Sequence, residues 1–201
     1  MLILAALFIS WRTGIYLLAV FIIPITISII APFFDIPSLK RSGKLIYHSS
    51  LFLSEKPQNK VIKIHGGTLF DYVFVIDRNM NGKQRVMFIL GQYLEGLSNL
   101  IERYAKEDYE NLIVRGTSYI VNVRTAERLG FTINETDFLQ KIILIYNYFN
   151  ILLANSIANG KLSFPKLSNT KTFEAKLSEL IERKEYLRSL SEKLKISVAG
   201  T

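Results

Sequence analysis

An uncharged apolar run from Gly14 to Phe34 constrains this chain more than any other stretch. It consists mostly of Ile, Leu, Val and Phe, and its 21 residues match the roughly 20 that cross the hydrocarbon core of a bilayer. Each central Leu, Ile, Phe or Val contributes about −0.3 to −0.6 kcal/mol to insertion, so the run is predicted to insert despite Pro24. We therefore predict a single transmembrane helix, within a membrane anchor of residues 1–35.

Two other structures remain open for this segment. One is a buried core helix, although such helices are usually shorter and carry a polar face. The other is a helix that is broken at Pro24 and Pro32 and lies within one leaflet. A cleaved signal peptide fits poorly, because no basic region precedes the run and no small-x-small site follows it. The stretch from Leu2 to Ile9 is too short for a second span.

The charges that flank the run predict its orientation. Arg12 and the α-amino group precede it, whereas Lys40, Arg41 and Lys44 follow it. The positive-inside rule places the more basic flank in the cytoplasm, so the protein is predicted to be single-pass with its C-terminal domain cytoplasmic. The three cations are expected to attract anionic membrane lipid by about 1 kcal/mol each.

The remaining composition narrows the classes of function. With 201 residues, the chain has room for one domain plus an appendage. Its 25 Lys and Arg against 17 Asp and Glu give a formal charge of +8, which suits an anionic partner. The chain has no Cys, which excludes a disulfide framework, a thiol nucleophile and a Cys-based metal site. Because it has only two His residues, no metal site is expected.

Three β-rich stretches follow the apolar run and predict an antiparallel meander. They are residues 45–53, 60–65 and 68–76. Pro57 bars continuation of the first strand into the second. Gly66-Gly67 fits a two-residue hairpin turn between the second and the third, because glycine reaches positive φ without strain. Both faces of this sheet are apolar, so both are expected to be covered.

Helical periodicity dominates the rest of the chain. The predicted elements are a helix over 84–107, a strand over 112–121, a short helix between Asn122 and Gly130, a buried helix over 137–159 and a last helix over 172–196. A second span is the alternative for residues 138–159. The predicted fold class is therefore α+β: an N-terminal transmembrane helix, then an antiparallel meander sheet with packed helices and two long C-terminal helices. Beyond the anchor, the predicted domains are a mixed α/β domain over 36–160 and a C-terminal helix over 161–201.

Two residues of the predicted hairpin are candidate catalytic groups. His65 would lie at the hairpin tip beside Thr68 and across from Ser49, and a His–Ser pair can activate a hydroxyl nucleophile. A tip histidine that only hydrogen-bonds a neighbouring hydroxyl is the ordinary alternative. Asp71 would lie mid-strand on an apolar face, where a carboxylate must be paired, solvated or functional. Its ordinary explanation is a structural pair with a nearby Lys or Arg.

The loop before the long helix is a candidate anion site. Asp77-Arg78 and Lys83-Gln84-Arg85 flank this loop. The free amides and the dipole of a helix N-terminus both attract anions. An ordinary solvated basic turn is the alternative explanation.

The order of elements between residues 60 and 133 carries a family resemblance. A meander, a loop, a long helix, a strand and a short helix that closes in Leu129-Gly130-Phe131 resemble the C-terminal half of GNAT-type N-acetyltransferases. In that family the loop-to-helix corner binds the pyrophosphate of acyl-CoA through backbone amides. The resemblance implies that role for five residues of the matching stretch. They are Asn79, Gly82, Lys83, Gln84 and Arg85.

The chain departs from the family's pattern at three places. The Gln/Arg-x-x-Gly-x-Gly/Ala sequence of the loop is absent. After Gln84 come Arg85, Val86 and Met87, and no glycine stands at the expected steps. Ala126 stands where many members have a tyrosine that acts as general acid. The membrane segment replaces the family's first strand and helices.

Two functional hypotheses follow. The first is a non-enzymatic interaction or assembly module, without a cofactor, whose C-terminal helices dock on a protein partner. The alternative is an acyl-CoA-dependent N-acyltransferase that works at the membrane surface. A splayed cleft beside residues 79–85 would separate the two. Nucleic-acid binding comes third, because Lys and Arg are scattered and no reading motif is present.

Overall fold

The computed structural model describes residues 2–105 and 112–199, and it confirms the predicted α+β class. The helices are α1 (Leu2–Thr13), α2 (Tyr16–Arg41), α3 (Leu69–Val75), α4 (Gly82–Tyr104), α5 (Val123–Arg128), α6 (Phe138–Tyr146), α7 (Tyr148–Asn159), α8 (Leu177–Glu182) and α9 (Lys184–Ala199). The strands are β1 (Leu45–Ser49), β2 (Phe52–Glu55), β3 (Val61–Gly66), β4 (Ile113–Ser118), β5 (Thr132–Glu135) and β6 (Lys171–Lys176). They form one six-stranded sheet.

Helix α2 contains most of the predicted apolar run and continues unbroken past Pro24, Pro32 and Pro37. Within the described residues, Ala19–Arg41 is the one single helix that is long and apolar enough to cross a membrane, with a mean hydropathy of 2.2. Helix α1 packs against it.

The C-terminal half of α2 packs on the rest of the protein. The ring of Phe33 lies 5.8 Å from that of Phe70 and 6.2 Å from that of Phe74, both in α3. The ammonium group of Lys40 lies 4.8 Å from the ring centre of Tyr47 in β1. The apolar helix is therefore part of the tertiary structure and not a detached tail.

The strand order of the sheet is β1-β2-β3-β4-β6-β5. β1, β2 and β3 form an antiparallel meander, although the stretch predicted as its first strand folds into both β1 and β2. β3 and β4 are parallel, and the chain between them forms α3 and α4. β6 pairs antiparallel with both β4 and β5. One parallel pair thus lies at the centre of an otherwise antiparallel sheet.

The prediction of a strand over residues 68–76 is wrong, because helix α3 occupies this stretch. The hydroxyl of Thr68 accepts a hydrogen bond from the amide of Asp71, and the carboxylate of Asp71 accepts one from the amide of Thr68. This capping box satisfies amides that a helix start leaves free. Leu69 and Tyr72 are buried against the domain. Capping and burial together therefore favour a helix over a strand.

The predicted hairpin turn at Gly66-Gly67 is also wrong, because neither glycine has a positive φ. Gly66 ends β3, and a Cβ at this position would lie 2.2 Å from the hydroxyl oxygen of Tyr93. A Cβ at Gly67 would lie 2.8 Å from Cδ2 of Leu51. Glycine is therefore favoured at both positions because a neighbouring side chain leaves no room for a Cβ atom.

The helix predicted over residues 172–196 is wrong in its first part, where β6 forms. Phe173, Leu177 and Leu180 share a helical spacing in the sequence, yet Phe173 is buried from a strand. Pairing along both edges of β6 overrides the local helical pattern. The stretch 161–201, predicted as a C-terminal helix, therefore supplies one strand of the sheet as well as α8 and α9.

The helix predicted over residues 137–159 is broken at Asn147, where α6 and α7 meet at 70°. Helix α7 packs on α2, α3 and α4. None of the residues of α6 is buried, so the prediction of one buried helix is wrong for α6. When α6 and α7 are counted as one broken span, the pair is also long and apolar enough to cross a membrane.

The main core lies between the sheet and α4, where Leu97, Leu100 and Ile101 are buried. Helix α9 packs on α4 and buries Leu187 completely. The apolar stripe of the C-terminal helices is therefore packed on the domain.

Candidate ligand cavity and its polar residues

The two parallel strands separate before they end. β3 and β4 pair from Val61 with Ile113 to Ile64 with Gly116, and no described pair joins them beyond that point. β3 nevertheless continues beside β2, and β4 continues beside β6. The facing backbone groups at both strand ends are therefore left to water or to a ligand.

A cavity of about 820 Å³ opens where the strands separate. Its walls come from the ends of β3 and β4, from α4, from α7 and from the C-terminal half of α2. Ligand sites in proteins have volumes of roughly 300–1,000 Å³, mostly apolar walls and a few polar groups. This cavity has that size and character, and it is the candidate functional site.

The cavity reaches both faces of the sheet. Successive side chains of a strand point to opposite faces. Of the lining residues, His65 and Thr117 project from one face, and Ile64 and Phe173 project from the other. The lining of the cavity therefore includes side chains from both faces of the sheet at the point where β3 and β4 separate.

Three tyrosines bring hydroxyl groups to the cavity. The hydroxyl oxygens of Tyr72 and Tyr93 lie 3.2 Å apart, and that of Tyr93 lies against Gly66. Burial raises the pKa of Tyr72, Tyr93 and Tyr119 above the ordinary value of 10. At neutral pH these groups are protonated phenols, which can donate hydrogen bonds to a developing anion.

His65 lies near the end of β3 and lines the cavity. Its Nε2 is 3.0 Å from Oε1 of Glu55. A carboxylate only accepts hydrogen bonds, so Nε2 carries a proton, and in the neutral imidazole Nδ1 is then the acceptor. Ser49, predicted to lie across from His65, instead donates its hydroxyl to the backbone oxygen of Gln92. The structure therefore pairs His65 with a carboxylate and not with a serine.

Asp71 is buried on α3 and not on a strand. Its carboxylate accepts from the amide and the hydroxyl of Thr68, at 2.7 and 2.8 Å, and from the hydroxyl of Tyr47 at 2.8 Å. These bonds compensate for its burial, in place of the predicted Lys or Arg. The carboxylate also occupies the start of α3, where an anion would otherwise be attracted.

Most of the residues predicted to bind pyrophosphate instead stabilise the start of α4 and the loop before it. Asn81 and Gln84 cap this helix reciprocally, Gly82 packs against the carbonyl of Asn159, and the amide of Asn79 donates to Asp77. Arg85 donates to three backbone oxygens, those of Arg78, Met80 and Ile157. Lys83 is exposed. None of the predicted five lines the cavity.

A second histidine forms a buried pair outside the cavity. Nε2 of His48 lies 2.9 Å from the hydroxyl oxygen of Ser54. Burial and the charge of Arg103 lower the pKa of His48 to about 4. His48 is therefore neutral at physiological pH. It packs against Phe52 and Tyr104 as a structural residue.

No group of three or more side chains suited to bind a metal ion occurs in the described part of the chain. No protein-family model, curated protein or solved structure matches this chain. Its function is therefore inferred from the cavity and from the position of α2 beside it.

Proposed function

We propose that this protein is a membrane-anchored N-acyltransferase of GNAT-like build that takes its acyl group from acyl-CoA. The observation that carries the proposal is the cavity between the separated ends of β3 and β4. The feature expected to separate an acyltransferase from an interaction module was a splayed cleft beside residues 79–85. The cavity lies instead beside Gly66, Gly67 and Thr68, so it supports the proposal through the separation of the strands and not through the predicted location.

The anchor in this proposal is α2. Its length and hydropathy support a span. The cations Lys40, Arg41 and Lys44 support an orientation with the sheet domain in the cytoplasm, where acyl-CoA is available. Anionic lipid is the expected surface for these cations.

The shape of the cavity suits a long, narrow thioester. The pantetheine arm of acyl-CoA carries two amides, which can pair with the free backbone groups of separated strands much as an added strand would. The acyl group then passes between β3 and β4 to the other face of the sheet. Because Asp71 and the Asn81–Gln84 pair cap the nearby helix starts, the phosphates of the donor remain in solvent.

The polar groups of the cavity supply the chemistry of acyl transfer. The amine nitrogen bonds to the thioester carbonyl carbon, and the carbon–sulfur bond breaks. Nδ1 of His65 takes the proton that the nitrogen loses, and Glu55 stabilises the imidazolium. The proton then returns to the leaving thiolate, which departs as a thiol. Tyr72 donates its hydroxyl proton to the oxygen of Tyr93, and Tyr93 donates its own to the oxyanion of the intermediate.

The interaction module has less support from the packing. The C-terminal helices were predicted to dock on a partner, but Leu177, Leu180 and Leu187 on their apolar side are buried in the domain. The cavity has no role in that hypothesis.

The test is thiol release by the full-length protein in detergent, with a long-chain acyl-CoA and a primary amine. The chain contains no Cys, so a thiol reagent reports only the product. Since general-base catalysis contributes 10²–10⁴-fold, His65→Gln is expected to lower kcat by about a hundredfold or more. Tyr93→Phe is expected to lower kcat by roughly 10²-fold, the effect of losing one oxyanion donor.

Tyr47→Phe is the matched control for Tyr93→Phe, because it removes a partly buried phenol that does not line the cavity. It is expected to leave kcat unchanged. Donor binding should strengthen about tenfold for every two methylenes and depend little on salt, because each buried methylene contributes about 0.8 kcal/mol. If calorimetry detects no binding of long-chain acyl-CoA and no thiol is released, the interaction module is the better account.

A further inference from the structure

The cavity has a second end, away from the catalytic groups, between α2 and the bend that joins α6 to α7. Ser28 and Ala31 of α2 form one wall of this end. Asn147, Asn150 and Ile151 form the other. The helix proposed to span the bilayer is thus itself a wall of the ligand cavity.

A hydrogen bond between α7 and α2 indicates how deep in the bilayer this end of the cavity would lie. Nδ2 of Asn150 donates to the backbone oxygen of Ser28 at 2.9 Å and contacts its hydroxyl oxygen at 3.2 Å. Ser28 lies six residues before Phe34, which ends the apolar run. At 1.5 Å per residue, it is about 9 Å inside the end of the run. With α2 spanning the bilayer, Asn150 and the start of α7 therefore lie at the level of the hydrocarbon chains.

The helices next to this end of the cavity carry exposed apolar side chains. Helix α6 leaves Phe138, Leu139 and Ile145 exposed by 79, 67 and 67%. In α3, which also packs on α2, Phe74 is 68% exposed. Exposed apolar side chains of this kind are stable in lipid and costly in water.

One polar atom at this end is without a partner. Oδ1 of Asn150 is buried and accepts no hydrogen bond from the described residues. A buried carbonyl oxygen without a donor costs free energy that a bound donor would recover. The site therefore favours a ligand that brings an N–H or O–H group along with an apolar chain.

We infer that the acyl acceptor is a lipid with an amine head group, which enters the cavity sideways from the cytoplasmic leaflet between α2 and the α6–α7 bend. This inference rests on the proposed function. The lipid chain lies between α2 and α7, its polar group passes Asn150, and its amine reaches His65 at the separated strands. The water-soluble donor enters from solvent at the separated strand ends, where His65 is exposed. The lipid acceptor thus stays in the membrane and the donor stays in water until the two meet at the strand ends.

The test uses the full-length protein in phosphatidylcholine nanodiscs that contain an alkyl amine with a photoactivatable diazirine in its chain. After illumination, mass spectrometry locates the labelled residues. The expected result is labelling inside the cavity, at residues such as Ala31, Ile151 and Ala154. Labelling confined to outer residues such as Phe138 and Leu139 would overturn the inference, because it reports only lipid around the protein.

Two variants of α7 form a matched pair for this test. Ala154→Trp places an indole inside the cavity and is expected to reduce cavity labelling by at least about fivefold, since the chain's path is filled. Leu153→Trp places the same ring on the half-exposed outer side of the helix and is expected to leave the labelling unchanged. Equal reduction by both variants would overturn the inference. If Ala154→Trp does not fold, the labelling map of the unmodified protein decides the question.

The outcomes for the two proposals are distinguishable. Cavity labelling without any thiol release from acyl-CoA would support the lipid site and overturn the transferase. Thiol release with a short soluble amine, together with no cavity labelling and no reaction of the alkyl amine, would support the transferase and overturn the lipid acceptor.

Discussion

Two glycines of α4 look alike in the sequence but have different surroundings. A Cβ added at Gly96 would lie 2.4 Å from Cβ of Phe52 in β2, whereas a Cβ at Gly91 would meet no atom within 4 Å. Gly96 therefore sets how closely α4 approaches the sheet. Gly91 has no such contact and only lowers the helix propensity.

We expect Gly96→Ala and Gly91→Ala to change stability in opposite directions. The first forces α4 away from Phe52 and should destabilise the protein by about 1–3 kcal/mol, as overpacking does. The second removes backbone entropy from the unfolded chain and should stabilise it by about 0.5–1 kcal/mol. Thermal melting of the full-length protein in detergent measures both. Destabilisation by both variants would mean that Gly91 also has a close neighbour.

The buried His48 predicts a pH dependence of stability. The unfolded residue binds a proton below pH 6.5, but the folded one does so only below about pH 4. The unfolded state therefore binds more protons between these values, and stability falls as the pH drops from 6.5 towards 4. The loss between pH 7 and pH 5 should be about 2 kcal/mol, and His48→Gln should remove it. A variant with the same loss as the original protein would contradict this assignment.

Local sequence signals predicted the ends of elements well. Asn122 and Asp137 cap helices as expected, and Gly130 and Gly160 follow helices in the left-handed conformation. The Thr68-x-x-Asp71 pattern is likewise a capping-box signal, but the neighbouring glycine pair favoured a hairpin. No local sequence signal predicted that the Tyr93 hydroxyl lies at the cavity. Tyr93 fits the apolar stripe of α4, and only the approach of β3 from elsewhere in the chain shows where its oxygen lies.

At the level of elements, contacts between residues far apart in the sequence determined structures that the local sequence pattern did not predict. Residues 171–176 carry no strong strand alternation, and their identity as β6 depends on β4 and β5. The break at Asn147 similarly follows from α7 packing on α2 and α4 while α6 packs on little. The cavity could not be predicted from the sequence for the same reason, because its walls come from α2, β3, α4, β4 and α7, which are separate parts of the chain.

Arg85 connects two of these elements. Its guanidinium group joins the start of α4 to the last turn of α7 through the backbone oxygen of Ile157, and it also holds the loop before α4. Arg85→Ala should destabilise the protein by about 2–4 kcal/mol, since charge-assisted hydrogen bonds contribute roughly 1.5–3 kcal/mol each and are not additive. Lys83→Ala, at an exposed position nearby, should change stability by less than about 0.5 kcal/mol. A donor-binding role for Arg85 would instead appear as weaker acyl-CoA binding with an unchanged melting temperature.

For the whole molecule, α2 is both a helix apolar enough to span a membrane and a wall of the cavity. Its C-terminal half contacts α3, α7 and β1 and lines the cavity. Without it the cavity would lose the wall formed by residues between Ile27 and Leu39 and would open to solvent. Helix α2 is therefore packed as part of the domain.

We expect deletion of residues 1–36 to give an aggregated protein, because the wall of the cavity is lost. Deletion of residues 1–13 removes only α1 and should leave a folded protein in the membrane fraction after carbonate extraction. Size-exclusion chromatography and melting curves in detergent measure both outcomes. A soluble, cooperatively folded 37–201 fragment would show that α2 is only a tether, and full-length protein in the carbonate supernatant would contradict the span.

The place of β6 in the sheet has a consequence for synthesis of the protein on the ribosome. β6 separates β4 from β5, yet Thr172 of β6 follows its partner Thr117 of β4 by 55 residues. β4 therefore leaves the ribosome well before the strand that covers its open edge, and closing so long a loop is slow. By then α2 has long been available to the insertion machinery. With α2 as the proposed span, the nascent chain should thus reach the membrane first and complete its sheet there, with an unpaired strand edge held beside the lipid until the last third of the sequence has been translated.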